Sequence, residues 1–489
     1  MTKRHHRRAK SITPMPEELI VITKPNADIS QLNSTMESQG AVLDPIFGPS
    51  KKIARMDKNA MEVLNKQGIY PETFFIAKRA SDLKALHQQL KDHPLVDSAY
   101  IKPPTFPAMM MDDGLVPVNP DGPTPSFYSM QGYLFDPPDG INARLSWRLE
   151  GGYGEGVKII DIEGAWQFSH EDLQANIGGM IAGEQIDDLL WRNHGTAVIG
   201  ELGGDENDYG IVGICPRAFI RCVSMFGIGS AKAIVMASDA LDYGDLLLIE
   251  LQRPGPFADF MINPDQDGYM AIEWWPDDFA AILYATSKGV IVVEAAGNGG
   301  VNFDDSLLDV PMPDFPSFWG NPLSISGPLS GAIIVGAGAP PPGTNGNDNG
   351  PDRSRLSFSC FGERVDAQGW GAEVVTCGYG ELQGGDFEPY WYTDDFGGTS
   401  SASPIVTGAL ALVQGRLRYL ERPVLSPARA REILRTTGSP QQEGPDAPLT
   451  QRIGNRPELR EIFMLLDIID DNDTGSDDFS ENFIDESMP

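Results

Sequence analysis

The stretch of the chain that decides its fold is residues 396–413, FGGTSSASPIVTGALALV. Gly397 and Gly398 allow the backbone to approach a ligand closely, and the small and apolar residues after them predict a long buried helix that begins at Ser400. The start of a helix presents free N–H groups and a partial positive charge, which stabilise the oxyanion formed when a carbonyl group is attacked. Ser400 is therefore a candidate nucleophile, although a serine at this place is also an ordinary N-cap.

A serine hydroxyl needs a base, and the base needs a group that orients it. Of the six histidines, His194 alone stands at the start of a small-residue helix, in residues 193–200, NHGTAVIG. We predict Asp161 as the orienting group, because residues 157–162, VKIIDI, resemble a buried parallel strand with a carboxylate near its end. The carboxyl ends of parallel strands gather functional groups, so Asp161 is expected to accept the Nδ1–H of His194. Taken singly, each residue also fits a structural role, as a core histidine or a turn-capping aspartate.

A fourth candidate follows another apolar run, in residues 289–300, GVIVVEAAGNGG. Asn298 would stand at the exit of this strand, where its side-chain amide is a neutral donor suited to a developing oxyanion. An asparagine between glycines is also a common turn residue.

The order of these four residues resembles that of subtilisin-like serine peptidases of the subtilase family. The resemblance rests on the Asp161 strand followed by HEDL at 170–173, and on HGT at 194–196, AAGN at 295–298, GTS at 398–400 and ASP at 402–404. It covers roughly residues 141–440. It implies that Asp161 orients, that His194 is the general base and acid, that Ser400 is the nucleophile, and that Asn298 joins the Ser400 N–H in an oxyanion hole.

The same resemblance implies a serine endopeptidase that works through an acyl-enzyme intermediate on protein or peptide substrates. Such an enzyme requires no cofactor. Members of the family often bind calcium as a structural ion, for which Asp304, Asp305 and Asp309 are candidate ligands here. Two other functions stay open: a catalytically impaired peptide-binding pseudoprotease, and an esterase that uses the same triad. A purely structural protein is the third alternative.

Two segments depart from the family pattern. Asp161 is followed by Ile162-Glu163-Gly164, where the family usually has Ser or Thr before the glycine. Residues 246–252, LLLIELQ, stand where the family has a Ser-Leu-Gly strand that binds substrate, so Glu250 and Gln252 replace small residues and are candidate substrate-binding residues. A glutamate facing the pocket would favour a basic side chain, whereas strand alternation can also turn it away.

The predicted fold is an α/β three-layer sandwich with a mainly parallel sheet, preceded by a small ferredoxin-like α+β domain. Strands at 18–23, 73–77 and 96–101 and helical stretches from Asp28 and over 81–92 predict that smaller domain. In the family such a domain is an inhibitory propeptide, which implies a self-processed or self-inhibited zymogen cut between about residues 101 and 116. A small partner-binding domain that is never removed is the alternative. The predicted divisions are a disordered basic leader 1–16, the propeptide-like domain 17–103, a linker 104–140, the peptidase 141–468 and a disordered acidic tail 469–489.

Composition limits the partners. The formal net charge of −32 argues against nucleic-acid binding, and no apolar run is long enough to cross a membrane. The basic leader does not lead into the apolar core of a signal peptide, which predicts a cytoplasmic protein, with another secretion route left open. Cys215, Cys222, Cys360 and Cys377 are then expected as buried thiols, and their spacing is not that of a zinc site.

Overall fold

The structure is a computed structural model that describes residues 12–37, 40–109 and 122–469. Its N-terminal unit is a four-stranded antiparallel sheet with helices. Its elements are β1 (Glu18–Thr23), α1 (Ile29–Glu37), β2 (Val42–Pro45), α2 (Ser50–Ile53), α3 (Lys58–Lys66), β3 (Phe74–Lys78), α4 (Leu83–Leu90) and β4 (Val96–Lys102). The strands lie in the order β2-β3-β1-β4. The three strands and two helices located from the sequence form as β1, β3, β4, α1 and α4, and the structure adds the strand β2 and the helices α2 and α3 between α1 and β3.

The sheet of this unit has two apolar faces, because side chains alternate along a strand. Leu19 and Val21 of β1 face a core that includes residues of α1 and α4. Ile20 and Ile22, their neighbours in sequence, face the opposite way and join the core of the larger unit. The sheet is therefore buried on both sides.

The larger unit is built on a seven-stranded sheet in the order β14-β13-β12-β9-β6-β8-β7, in which every neighbouring pair is parallel. The strands of this sheet are β6 (Lys158–Glu163), β7 (Ile177–Ala182), β8 (Phe219–Ser224), β9 (Leu246–Ile249), β12 (Ile291–Ala295), β13 (Ile333–Gly338) and β14 (Ala367–Trp370). A three-stranded sheet is formed by β5 (Phe106–Pro107), β10 (Leu251–Pro254) and β11 (Tyr269–Ala271), and a two-stranded sheet by β15 (Val374–Cys377) and β16 (Tyr392–Phe396). Its helices are α5 (Ala143–Trp147), α6 (Leu189–Gly203), α7 (Ser230–Ala240), α8 (Pro276–Ser287), α9 (Thr399–Tyr419), α10 (Pro427–Thr436) and α11 (Leu459–Leu466).

Helices cover both faces of this sheet, which gives the α/β three-layer sandwich predicted from the sequence. α6 and α9 pack against each other and against the sheet, and α7 and α8 form a second packed pair. A parallel sheet covered on both faces needs strands that are apolar throughout, and Leu246–Ile249 is such a strand, fully buried.

Five charged side chains are buried between the two units, and we call them the interface ion cluster. Lys102 Nζ of β4 lies 2.6 Å from Asp277 and 3.0 Å from both Asp278 and Glu18. Arg253 Nη2 lies 2.5 Å from Glu18. Lys102 and Glu18 belong to the N-terminal unit and the other three to the larger unit, so the two units share buried ion pairs as well as a core.

Residues 12–16 correct the predicted boundary of the disordered leader. Ile12 and Met15 are buried, Thr13 N–H donates to Asp188 Oδ2 at 3.0 Å, and Trp191 Nε1 donates to the carbonyl of Thr13 at 2.8 Å. Long-range partners that the local sequence does not reveal therefore order this segment. The rest of the predicted leader, linker residues 110–121 and tail residues 470–489 lie outside the described residues, and the other domain boundaries remain predictions.

Two further findings concern the whole described part of the chain. No helix in it is both long enough and apolar enough to cross a membrane. Cys215, Cys222, Cys360 and Cys377 are all buried free thiols.

Candidate active site

His194 is held by a carboxylate, and that carboxylate belongs to Glu163. His194 lies in α6, whose N-cap Asp188 accepts from the backbone N–H groups of Leu190 and Trp191. Its Nδ1 lies 2.7 Å and 2.8 Å from the two carboxylate oxygens of Glu163, the last residue of β6. Because a carboxylate only accepts, Nδ1 carries the hydrogen when Glu163 is ionised, and Nε2 is then free to take a proton.

Both members of this pair are fully buried. Burial lowers the pKa of His194, because the charged imidazolium is poorly solvated there. Burial also raises the pKa of Glu163. The environment therefore favours a neutral imidazole, the form that acts as a base.

Asp161 does not contact His194, so the predicted orienting residue is corrected. Asp161 Oδ2 accepts a hydrogen bond from Trp166 Nε1 at 2.7 Å, and Asp161 pairs with Cys222 and Leu248 inside the sheet. β6 continues for two residues past Asp161, so the carboxylate at its carboxyl end is Glu163. Burial, then the charge of Glu163, raises the pKa of Asp161.

Ser400 lies at the start of α9, after Gly398, whose φ of 113° is in the region that favours glycine. The Ser400 side chain is fully buried. Within the described residues, neither Ser400 Oγ nor His194 Nε2 has a hydrogen-bond partner. Helices α6 and α9, which carry the two residues, pack against each other, and no hydrogen bond joins Ser400 Oγ to His194 Nε2.

Asn298 lies beyond the end of β12 with its side chain fixed in one orientation. Its Oδ1 accepts from the backbone N–H and the hydroxyl of Thr399, both at 2.9 Å. A backbone N–H can only donate, so Oδ1 must face it and Nδ2 is the remaining donor. Nδ2 has no partner among the described residues.

Residues 105–109, which we call the strap, lie across this site as an extended strand. Phe106 and Pro107 pair antiparallel with Gln252 and Leu251 of β10. On the other edge of the strap, Met15 and Thr105 exchange backbone hydrogen bonds of 3.0 Å and 3.2 Å. The strap is therefore the edge strand of the sheet β11-β10-β5, and a single backbone bridge to Met15 lies on its outer side.

The strap presents one carbonyl group to Ser400. The Ala108 N–H donates to the carbonyl of Glu250 at 3.1 Å, and the Ser400 N–H donates to the carbonyl of Ala108 at 3.2 Å. A Cβ atom built on Gly398 would lie 2.5 Å from that carbonyl oxygen and 3.1 Å from Asn298 Nδ2. The Ser400 N–H thus contacts this oxygen, and Asn298 Nδ2 lies at the same glycine without a hydrogen-bond partner among the described residues.

The two candidate substrate-binding residues differ in what they contact. Glu250 Oε1 accepts from Ser403 Oγ of α9 at 2.6 Å, so its carboxyl group faces the helix. Burial raises the pKa of Glu250, against the opposing effect of the Ser403 hydroxyl. Gln252 Nε2 instead donates to the carbonyl of Pro107 in the strap at 3.0 Å.

Sequence reasoning missed three participants: Glu163 as the partner of His194, Ala108 in the strap, and Gln266, whose Nε2 donates to the carbonyl of Met109 at 3.1 Å. A signal existed for Glu163, because strand alternation places it on the same face as Asp161 and nearer the strand end. No local signal marks Gln266, which reaches the strap from the loop before β11.

The candidate calcium ligands do not converge. Asp304 accepts from the backbone N–H of Glu363, Asp305 caps a short 3₁₀ turn at Leu307, and Asp309 accepts from Asn321. Residues 12–37, 40–109 and 122–469 contain no group of three or more His, Cys, Asp or Glu side chains that could hold a metal ion. These residues do not fit a calcium site, and we assign no role to the ion.

Comparisons with known proteins agree with this geometry. Residues 263–456, which include Asn298 and Ser400, match the model of the subtilase family, Peptidase S8. The chain is 26% identical over 297 residues to subtilisin DY of Bacillus licheniformis, covering 60% of this chain and 87% of that one. It is 25% identical over 305 residues to an intracellular serine protease of Paenibacillus polymyxa, covering 60% and 78%.

The fold is also similar to that of a solved structure. This is fervidolysin from Fervidobacterium pennivorans, described as a keratinolytic enzyme related to subtilisin. The TM-score is 0.53 and the sequence identity 16%, and the match covers 93% of this chain and 61% of fervidolysin. The chain therefore spans less than two thirds of fervidolysin.

Proposed function

The chain is a subtilisin-like serine peptidase, and from this premise we propose that Ser400, His194 and Glu163 are its catalytic triad. Ser400 Oγ attacks the carbonyl carbon of the substrate, and His194 Nε2 takes the hydroxyl proton. Glu163 holds the Nδ1–H and stabilises the imidazolium that forms. His194 then gives the proton to the leaving amine, and water hydrolyses the acyl-enzyme by the same steps.

The observation that carries the proposal is the bond from the Ser400 N–H to the carbonyl of Ala108. A peptide carbonyl held there gains negative charge when it is attacked, and the Ser400 N–H and Asn298 Nδ2 are the donors available to stabilise it. Nucleophilic attack also requires Ser400 Oγ and His194 Nε2 to form a hydrogen bond, and contacts of this kind often tighten only in the reactive complex.

The triad is tested by a matched pair of variants, Glu163→Gln and Asp161→Asn. Each exchanges a buried carboxyl for an amide, but only Glu163 contacts His194. We expect Glu163→Gln to lower kcat by about four orders of magnitude, as loss of an orienting carboxylate does in such triads. Asp161→Asn keeps an oxygen for Trp166 and is expected to retain most activity.

Hydrolysis of a protein substrate, together with labelling by a fluorophosphonate probe, provides the readout. Labelling of the parent chain but not of Ser400→Ala supports a reactive serine and argues against a pseudoprotease. Activity on small esters with none on proteins would favour an esterase. If Asp161→Asn is inactive and Glu163→Gln active, the assignment of Glu163 is wrong.

We further propose that the N-terminal unit inhibits the enzyme through the strap and that the chain cuts itself between Ala108 and Met109. The strap is extended, pairs with β10 as a substrate would, and offers Ala108 to Ser400. The interface ion cluster would hold the N-terminal unit in place after the cut. Sequencing of the purified protein is expected to find an N-terminus at Met109, and Ser400→Ala is expected to remain uncut at this bond. A uniform start at residue 1 or 2 in active enzyme would refute the proposal.

The cytoplasm remains the proposed compartment. The support is the four buried free thiols, which suit a reducing environment, and the similarity to an intracellular protease. Fractionation of the producing cells checks this, because recovery in the medium would contradict it.

A further inference from the structure

Two buried glutamines bracket the bond that the strap presents. We propose that Gln252 and Gln266 are substrate-positioning residues that bind backbone carbonyls on both sides of the cleaved bond, and that Gln252 restricts the residue before that bond to a small side chain. This inference rests on the proposed function. It predicts that the substrates of the enzyme are polypeptides cut after alanine or a residue of similar size.

The first step is the path of hydrogen bonds. The Asn298 N–H donates to Gln252 Oε1 at 2.8 Å, and Gln252 Nε2 donates to the carbonyl of Pro107 at 3.0 Å and to Gln266 Oε1 at 2.5 Å. Gln266 Nε2 then donates to the carbonyl of Met109 at 3.1 Å. The two amide groups thus link the loop that carries Asn298 to the residues on either side of Ala108.

The orientation of both amides follows from their fixed partners. A backbone N–H only donates and a backbone carbonyl only accepts, so Gln252 must turn its oxygen to Asn298 and its nitrogen to Pro107. The carbonyl of Met109 fixes Gln266 in the same way. A flipped amide at either position would put donor against donor or acceptor against acceptor.

The backbone at Gln266 is unusual and places its side chain in the site. Its φ is 59°, in the left-handed region that residues other than glycine seldom adopt. Gln266 is 8% exposed and Gln252 is fully buried. A non-glycine residue in this conformation, with a buried amide whose hydrogen bonds go to the strap and to Gln252, has the character of a binding residue.

The restriction on size follows from the register. Gln252 lies opposite Phe106, and Ala108 is bonded to the carbonyl of Glu250, so Phe106, Ala108 and Gln252 project from the same face of the paired strands. Ala108 has no exposed surface. A larger side chain in its place would have to displace the Gln252 amide from its bond with Asn298.

The contacts of Glu250 argue against a pocket that selects a basic side chain of the substrate. The carboxyl group of Glu250 accepts a hydrogen bond from Ser403 of α9. The register places Glu250 opposite Ala108, but burial raises the pKa of Glu250, which favours its neutral form, so it offers little charge to a lysine or arginine before the cleaved bond. We expect peptides with Ala before the bond to be cut faster than those with Leu, Phe or Arg.

The experiment uses two kinds of change at Gln252 in the full chain. Gln252→Met keeps the volume and removes the hydrogen bonds, whereas Gln252→Gly removes both. Gln266→Met is the companion variant. We expect each Met variant to lose about tenfold in kcat/KM, as for one neutral hydrogen bond, with the preference for Ala unchanged. Only Gln252→Gly should shift the ratio of Ala to Phe cleavage, by at least about tenfold toward Phe.

The strap supplies a second readout in the same molecule. Ala108→Phe is expected to slow self-cleavage at residue 108 in the parent chain, and Gln252→Gly is expected to restore it. Mass spectrometry of the products measures both rates, and thermal melting checks that each variant is folded. Added peptides test the preference even if the chain does not cut itself.

The outcomes separate this inference from the proposed function. If the parent chain neither reacts with a fluorophosphonate nor cuts any peptide, the proposed function fails. If it is labelled at Ser400 but prefers Leu, Phe or Arg, or if Gln252→Gly leaves the preference unchanged, the triad stands and the role of Gln252 is refuted. Gln266→Met with unchanged kcat and KM would refute the role of Gln266.

Discussion

Replacing Lys102 by Met tests whether the interface ion cluster joins the two units. The ammonium group of Lys102 is fully buried and also donates to Ser230 Oγ at 2.9 Å. Burial alone would lower its pKa, but the charges of Asp277, Asp278 and Glu18 outweigh burial and raise it. Methionine fills a similar volume without charge, so three carboxyl groups would lose a shared cation.

Breaking a buried ion pair by removing one partner costs about 3–5 kcal/mol, because the other charge is left without compensation. At 1.4 kcal/mol for each factor of ten, this corresponds to a roughly 150- to 4,000-fold change in an equilibrium constant. We expect the loss to appear in β4 and β1 of the N-terminal unit and in α8 of the larger unit, because these elements carry Lys102, Glu18 and Asp277.

The assay is amide hydrogen exchange in the Ser400→Ala chain, which keeps the strap intact. Exchange of the β4 amides should become faster by the factor given above, and the urea midpoint should fall. Lys84→Met, at an exposed position of α4, is the matched control and should change little. If Lys102→Met lies within about 1 kcal/mol of the control, the cluster does not hold the units together.

Two further predictions concern the active site and its surroundings. Asn298→Ala removes the Nδ2 donor and is expected to lower kcat by about 10²–10³-fold with little change in KM, measured on a peptide substrate; an unchanged kcat would remove Asn298 from the oxyanion hole. Burial, and then the charge of Glu250, raises the pKa of Glu201, so its stabilising contribution is complete below the pKa of the unfolded chain and is lost as the pH rises through the folded value. We therefore introduce Glu201→Gln into the Ser400→Ala chain. Between pH 5 and pH 8 the melting temperature of this double variant should fall less than that of Ser400→Ala alone, and equal falls would contradict this.

The elements that position the site could be predicted where a local pattern encodes them. The apolar run before Asn298 and the glycines before Ser400 predicted a strand and a helix, and both form, as β12 and α9. The parallel sheet followed from strands that are apolar along their whole length. Helix α6 begins at Leu189, so His194 lies in its second turn and not at its start.

The incorrect predictions have a common physical cause: in each case contacts with residues distant in sequence determine the local structure. Whether β6 ends at Asp161 or Glu163 depends on its pairing with β8, which extends to Ser224. Residues 12–16 have no periodic pattern, and Thr105, Asp188 and Trp191 order them. The left-handed backbone of Gln266 likewise depends on its loop and not on its own residue type.

The two-faced sheet of the N-terminal unit has a consequence for biosynthesis. The ribosome completes β4 at Lys102, whereas α7 and α8, which carry Ser230 and Asp277, are made about 130 to 180 residues later. At 5–20 residues per second the delay is on the order of ten seconds. During that interval the core that Ile20 and Ile22 of β1 join still lacks the residues of α7 and α8. The nascent chain thus carries an apolar surface on β1 for several seconds before all the residues that share its core have been translated.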